Sequence, residues 1–168
     1  APADTYTSQE RFDREWDSFF LNHPQIIGMS GDLPKNDTFI TIQDFGIPIL
    51  ATRNSRGEFK AYANVCSHRG VIVESERKGE KSKFSCPFHG WTFNNEGSLI
   101  GYPKGDQFGQ IDKECYGLKE LPALEKYGFL WVHPSTEGVI DLDEILGQDL
   151  INEFNSWNFK NLIFANEE

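Results

Sequence analysis

The sequence predicts an all-β, mainly antiparallel fold, with a sandwich-like base, a smaller lobe, and one amphipathic helix at each end. Three observations lead there. Fifteen glycines and eight prolines punctuate the 168 residues. The middle of the chain falls into short apolar runs of strand length, and helical periodicity is confined to the two ends. Fourteen phenylalanines and four tryptophans supply bulky core and interface material.

In chain order, residues 1–6 read as a disordered lead. Thr7-Ser8-Gln9-Glu10 has the form of a capping box, and Phe12, Trp16, Phe19 and Phe20 follow at helical spacing. This predicts a helix of about four turns ending near Asn22, before Pro24, with its aromatic stripe as a docking face. Residues 38–44, 47–53 and 59–65 read as strands joined by Gly46 and by the turn Asn54-Ser55-Arg56-Gly57. Short strands are expected around 72–75, 83–85 and 91–93, then the hairpin turn Asn94-Asn95-Glu96-Gly97 before Leu99. Residues 118–121 and 128–132 return to strand character, and Pro134 ends the last run. Leu142, Ile145, Leu146, Leu150, Ile151 and Phe154 then recur at helical spacing. The domain reading is therefore an N-terminal extension over 1–37, a β domain over 38–134 with its lobe near 64–103, and a C-terminal helix with the start of a linker over 135–168.

A net charge of −10 argues against nucleic acid as a partner, since phosphate contacts need clustered Lys and Arg. No run reaches the roughly 18 apolar residues of a membrane helix, and the polar start is unlike a signal peptide. The expectation is a cytoplasmic protein with no membrane partner. The three cysteines, at 66, 86 and 115, are too few and too odd in number for a disulfide framework, which turns attention to metal binding.

The decisive motif is Cys66-x-His68, seventeen residues, then Cys86-x-x-His89. Each half offers one thiolate and one imidazole from a loop rich in Gly and Pro. A Rieske-type [2Fe–2S] centre needs this split, with two cysteines on one iron and two histidines on the other. Charge counting shows why histidine matters. Two ferric ions, two sulfides and two thiolates sum to about zero, whereas four thiolates give about −2, so adding an electron is easier and the potential rises to roughly −150 to +300 mV. Gly70 and Gly90 fall where such loops need positive φ or close approach. Pro87 stiffens the second loop, and Phe88 and Trp91 are expected to form an apolar shell. The rival is a Cys₂His₂ zinc site, but zinc fingers usually pair C-x-x-C with H-x₃₋₅-H and carry the histidines on a helix.

The segments Asn64-Val65-Cys66-Ser67-His68-Arg69-Gly70, Cys86-Pro87-Phe88-His89-Gly90-Trp91-Thr92-Phe93 and Gly97-Ser98-Leu99 resemble the Rieske domain of ring-hydroxylating oxygenase α subunits. The resemblance extends to Gly117-Leu118, to Gly128-Phe129-Leu130-Trp131-Val132 and to both terminal helices. It implies Cys66, His68, Cys86 and His89 as ligands of a [2Fe–2S] cluster. It also implies electrons received from a reductase or ferredoxin and passed to a mononuclear iron in the catalytic domain of a neighbouring subunit, within a trimer. Val71 and Phe88 stand where high-potential Rieske proteins carry a disulfide, and Trp91 stands where they have a serine that donates to sulfide. The resemblance therefore implies a potential in the lower part of the window.

The triad that would hold a mononuclear Fe(II) is not expected in this chain. Outside the motif only His23 and His133 remain, and both read as structural or solvent-exposed. The run 162–165 reads as the strand entering an absent catalytic domain. Two readings follow, a Rieske part of an α subunit that does not hydroxylate alone, or a stand-alone Rieske-type ferredoxin. Cys115 is expected to be a half-buried thiol, Arg69 either solvated or a partner contact, and the charged stretch 74–83 a solvated loop.

Overall fold

The computed structural model describes residues 2–105 and 111–162. Eleven strands among them build three antiparallel sheets. They are β1 (Gln25–Met29), β2 (Thr38–Ile42), β3 (Ile49–Arg53), β4 (Phe59–Ala63), β5 (Lys78–Glu80), β6 (Lys83–Ser85), β7 (Thr92–Asn94), β8 (Leu99–Gly101), β9 (Glu120–Leu121), β10 (Ala123–Lys126) and β11 (Phe129–Val132). The central sheet runs β5-β2-β3-β4-β9, with β1-β11-β10 on one side and the small sheet β6-β7-β8 on the other.

Both faces of the central sheet are covered, which explains why β2 and β3 are buried along nearly their whole length. Alternation sorts the side chains. Ile40, Ile49, Ala51 and Ala61 join Ile27, Leu130 and Val132 in one core, beneath the three-stranded base sheet. Phe39, Leu50 and Tyr62 point the other way, into a second core with Phe84, Trp91 and Phe93. The second core also contains Cys66 and Cys86, so the apolar packing that supports the lobe reaches the candidate ligands directly.

One polar tie joins the layers. Arg53, at the end of β3, grips the Glu125 carboxylate of β10 with two bonds of 2.8 and 3.0 Å, and its Nε donates to the Leu33 carbonyl at 2.8 Å. Burial pushes the Glu125 carboxyl up, but Arg53 and the Ser30 hydroxyl outweigh it, and Glu125 ends below the usual carboxylate range. A carboxyl depressed in the folded state adds stability that is present above its unfolded pKa and is lost as pH falls through the folded value. Glu125→Gln should therefore lower stability at pH 7 and flatten the fall in stability below pH ~4.5. Urea titrations of both proteins at several pH values check this; parallel curves would contradict it.

Several expectations change. Three strands, β1, β5 and β10, are not legible in the sequence. β1 lies in the stretch 1–37 that reads as an N-terminal extension, yet it pairs with β11 through Gln25–Val132 to Met29–Phe129. Its Ile26 and Ile27 are interrupted by Gly28, so the alternation is too short to read. The lead is not featureless: Asp4–Thr7 forms a helical turn, α1. The helix α2 (Gln9–Glu15) is capped one residue later than expected, by Ser8, whose hydroxyl accepts from the Arg11 N–H at 3.3 Å. It continues as a π-helical stretch over Trp16–Leu21, and Phe12 of α2 stacks on Trp16, which stacks on Phe20.

The stretch 72–75 contributes only a bridge from Ile72 to Val65, and the strand lies later, at β5. The charged stretch 74–83 is thus solvated at Glu76, Arg77, Lys78 and Glu80, as expected, but it is not all loop. Glu74 is buried and takes a bond of 2.8 Å from Lys81 Nζ, while β5 pairs with β2. The second helix, α3 (Leu142–Trp157), is capped by Asp141 and broken at Gly147, which sits at φ 67°. The break shifts the register, so only Leu142 and Ile151 are buried and Ile145 and Leu150 face outward. The run 162–165 lies outside the described residues from 163 onward. No helix among the described residues is long and apolar enough to cross a membrane.

Candidate functional site

The two motif loops are built alike. In the first, the Cys66 N–H donates to the Val71 carbonyl at 2.8 Å and the Gly70 N–H to the Cys66 carbonyl at 2.9 Å. In the second, the Cys86 N–H donates to the Trp91 carbonyl at 2.8 Å and the Gly90 N–H to the Cys86 carbonyl at 2.9 Å. Five residues on and four residues on, the bonds are the same. Gly70 and Gly90 close the loops at φ 73° and 69°, a region costly for side chains that carry Cβ.

Each loop hangs from a rigid element. The first leaves β4 through Asn64, whose fully buried side chain donates to the Glu74 carbonyl at 2.7 Å and accepts from its N–H at 3.0 Å. The second spans β6 and β7, a hairpin in register from Lys83–Asn94 to Ser85–Thr92. The Ser67 hydroxyl reaches out to the Tyr116 carbonyl at 2.7 Å, fastening the first loop to the 3₁₀ turn Lys113–Tyr116.

The loops bring like groups together. Cys66 and Cys86 are buried, each 3% exposed, with the two thiols in hydrogen-bonding reach of each other. The imidazoles of His68 and His89 meet nearer the surface, with ring centroids 4.7 Å apart and planes at 69°. Burial pushes the Cys66 thiol up, opposed by the backbone N–H groups of His68 and Arg69 that donate to it. His68 is held below its ordinary value, first by burial and then by His89 and Arg69, which favours the neutral imidazole that metals bind. Among the described residues no three His, Cys, Asp or Glu side chains converge on a single ion-sized point. The donors sit instead as a thiol pair inside and an imidazole pair outside.

Trp91 meets the expectation of an apolar shell, being buried and stacked flat on His68. Phe88 does not: it is 57% exposed and lies against the outer side of His89, ring centroids 3.9 Å apart. Position 88 is at the outermost point of its loop, where no second layer covers it. Cys115 is exposed rather than half-buried, on the outer face of the 3₁₀ turn, its thiol 3.5 Å from the Asp112 carboxylate. His133 is buried and its Nδ1 accepts from the Ser135 N–H, while His23 is exposed; neither approaches the motif loops through any described contact. Arg69 is exposed. Tyr102 and Tyr116, which pack around Trp91, carry no motif and were missed in the sequence.

The two loop glycines differ in surroundings. A Cβ on Gly90 would lie 2.9 Å from Pro103 Cγ, whereas one on Gly70 meets nothing within 4 Å. Gly70→Ala should cost only the backbone term, about 1–2 kcal/mol, and Gly90→Ala should cost more. Thermal unfolding of the two variants checks the order; a larger loss for Gly70→Ala would contradict it.

Fold and loops together define a class: antiparallel β proteins that present two matched loops side by side, each bearing one cysteine and one histidine. The chain belongs to the Rieske [2Fe–2S] domain family, whose model matches residues 23–124. It is similar to the large subunit of anthranilate 1,2-dioxygenase from Acinetobacter baylyi, 31% identical over 145 residues, which cover 86% of this chain and 31% of that protein. It is also similar to the α subunit of toluate 1,2-dioxygenase from Pseudomonas putida, 34% identical over 155 residues, covering 85% of this chain and 32% of that one. Among solved structures, a quaternary ammonium Rieske monooxygenase in complex with L-carnitine superposes with a TM-score of 0.81 at 27% identity, covering 92% of this chain and 44% of that one. The chain spans about a third of the length of the curated relatives it matches. A role in electron transfer follows in general from this membership.

Proposed function

We propose that Cys66 and Cys86 hold one iron, and His68 and His89 the other, of a Rieske [2Fe–2S] cluster. In this reading the chain passes single electrons as the N-terminal part of an oxygenase α subunit. The observation that carries it is the sorting of donors, buried thiol beside buried thiol and half-buried imidazole beside half-buried imidazole. The donor set fits the group: two soft thiolates and two neutral imidazoles suit a cluster with a Cys₂ iron and a His₂ iron. When bound, the cluster supplies a one-electron couple. The protein holds the thiol side away from water within the second core, fixes the imidazole side at the surface, and aims the His68 and Arg69 N–H groups at the Cys66 sulfur.

The surface placement of the imidazoles brings them within reach of partners. Those partners are a reductase or ferredoxin as donor, and as acceptor a mononuclear non-haem Fe(II) in the catalytic domain of a neighbouring α subunit within a trimer. The proposed domain division is an extension over 1–37, whose β1 is built into the base sheet by its pairing with β11, a Rieske domain over 38–134, and the start of a linker over 135–168. The chain acts in the cytoplasm, without nucleic acid or membrane as partners.

Anaerobic reconstitution with iron and sulfide tests the reading. About two irons and two acid-labile sulfides per chain, with a red-brown colour that bleaches on one-electron reduction, are expected. A colourless protein holding one zinc per chain would overturn it.

A further inference from the structure

The two halves of the site share one backbone design, yet their histidines are not equivalent. His68 stands two residues after its cysteine and His89 three residues after, so identical loops send the rings into different surroundings. Against His68 lies the indole of Trp91, centroids 4.8 Å apart and planes within 5°, a face-to-face stack. Trp91 is itself 2% exposed and is held by Tyr102 on one side and by the edge of Tyr116 on another. Apart from His68 itself, the ring that His89 meets among the described residues is the tilted one of Phe88, which is largely open to solvent. One imidazole is clamped by a fixed aromatic wall, and the other is flanked by a ring with no wall behind it.

We infer that Trp91 is a positioning residue that fixes the plane of the His68 imidazole and, through its π face, favours the oxidised state of the centre that His68 helps to hold. The inference rests on the proposed ligand set. An indole face is electron-rich, and a metal-bound imidazole carries more positive charge when its metal is oxidised. Stacking therefore stabilises the oxidised form more than the reduced form and lowers the midpoint potential. A difference of about 1 kcal/mol between the two states, the upper end for an interaction of cation–π size at a partly desolvated site, corresponds to about a fivefold shift in the oxidised-to-reduced ratio, or ~40 mV for one electron. The parallel geometry also sets the ring's torsion about its metal bond, which a spectrum of the reduced protein reports.

The test separates electronic from merely structural effects. The reconstituted chain is prepared with tryptophan, then with mono-, di- and trifluorinated tryptophan, which weaken the π face at nearly constant volume. The midpoint potential is expected to rise with each step, and the same series in a Trp91→Phe background, where only Trp16, Trp131 and Trp157 carry label, is expected to stay flat. Trp91→Leu should raise the potential by about the full shift and broaden the imidazole nitrogen couplings of His68, with those of His89 unchanged. If Trp91→Leu or Trp91→Phe fails to fold, the fluorinated series in the parent chain decides alone. A flat series in a fully loaded protein overturns the inference and leaves the ligand set intact; a parent chain that binds no [2Fe–2S] cluster overturns the ligand set itself.

Discussion

Replacing Cys86 by serine should yield a folded but colourless protein, with bound iron and sulfide reduced more than tenfold. Cys86 is buried at 3% exposure beside Cys66, so no other described side chain can take its place at the thiol pair. A serine hydroxyl at this depth stays protonated and binds iron weakly, and one remaining thiolate cannot hold a Cys₂ iron. The loop itself survives the change, because its bonds run from backbone to backbone: Cys86 to Trp91 and Gly90 to Cys86. The β-sheet circular dichroism should persist while iron and sulfide assays fall to background. Cys115→Ser is the matched control, since that thiol is exposed and donates to the Asp112 carboxylate, and it should leave both readings unchanged. Retention of iron by the Cys86 variant, or its loss from the Cys115 variant, would contradict the assignment.

Two adjacent core truncations should then separate stability from cluster retention. Ile49 and Leu50 are neighbours on β3, both fully buried, and the pleat sends them to opposite faces. Ile49→Ala and Leu50→Ala should each cost about 2–5 kcal/mol, the loss of the side chain's transfer energy plus that of the cavity left behind. The two differ in what the cavity adjoins. Ile49 faces the base core, whereas Leu50 belongs to the core that contains Cys66, Cys86 and Trp91. Urea unfolding should show similar losses of stability, while the rate of iron release to a chelator at low urea should rise only for Leu50→Ala. Equal release rates at matched stability would mean that lobe packing does not hold the site.

The two motif loops are legible because their chemistry is local: cysteine, histidine, glycine and proline at fixed short spacings. The central strands β2 to β4 were legible because both their faces are apolar and the turn at 54–57 marks where the chain reverses. What escaped depends on contacts distant in sequence. β1 is five residues long with a glycine inside, and only its pairing with β11, about a hundred residues later, makes it a strand. Glu74 reads as solvent-facing until Asn64 and Lys81 close over it. The exposure of Phe88 escaped for the opposite reason, since a large apolar side chain near a motif suggests burial and only the fold shows the loop tip to be uncovered. Gly147 does not stand out in the sequence because apolar periodicity spans it, although its backbone breaks the helix.

Seen from the molecule, the flat stack of Trp91 on His68 and the open ring of Phe88 on His89 give the two imidazoles different freedom in an otherwise repeated design. The buried thiols rest on the doubly covered sheet, and the imidazole pair lies on the surface side of the site.

Pulsed EPR of the reduced, reconstituted chain grown with ¹⁵N-histidine tests the central claim most directly. Two distinct imidazole nitrogens coupled to the unpaired spin, one lost in His68→Ala and the other in His89→Ala, are the result expected of the assigned ligands. A reduced cluster with no strongly coupled histidine nitrogen, or couplings that survive both substitutions, would contradict it.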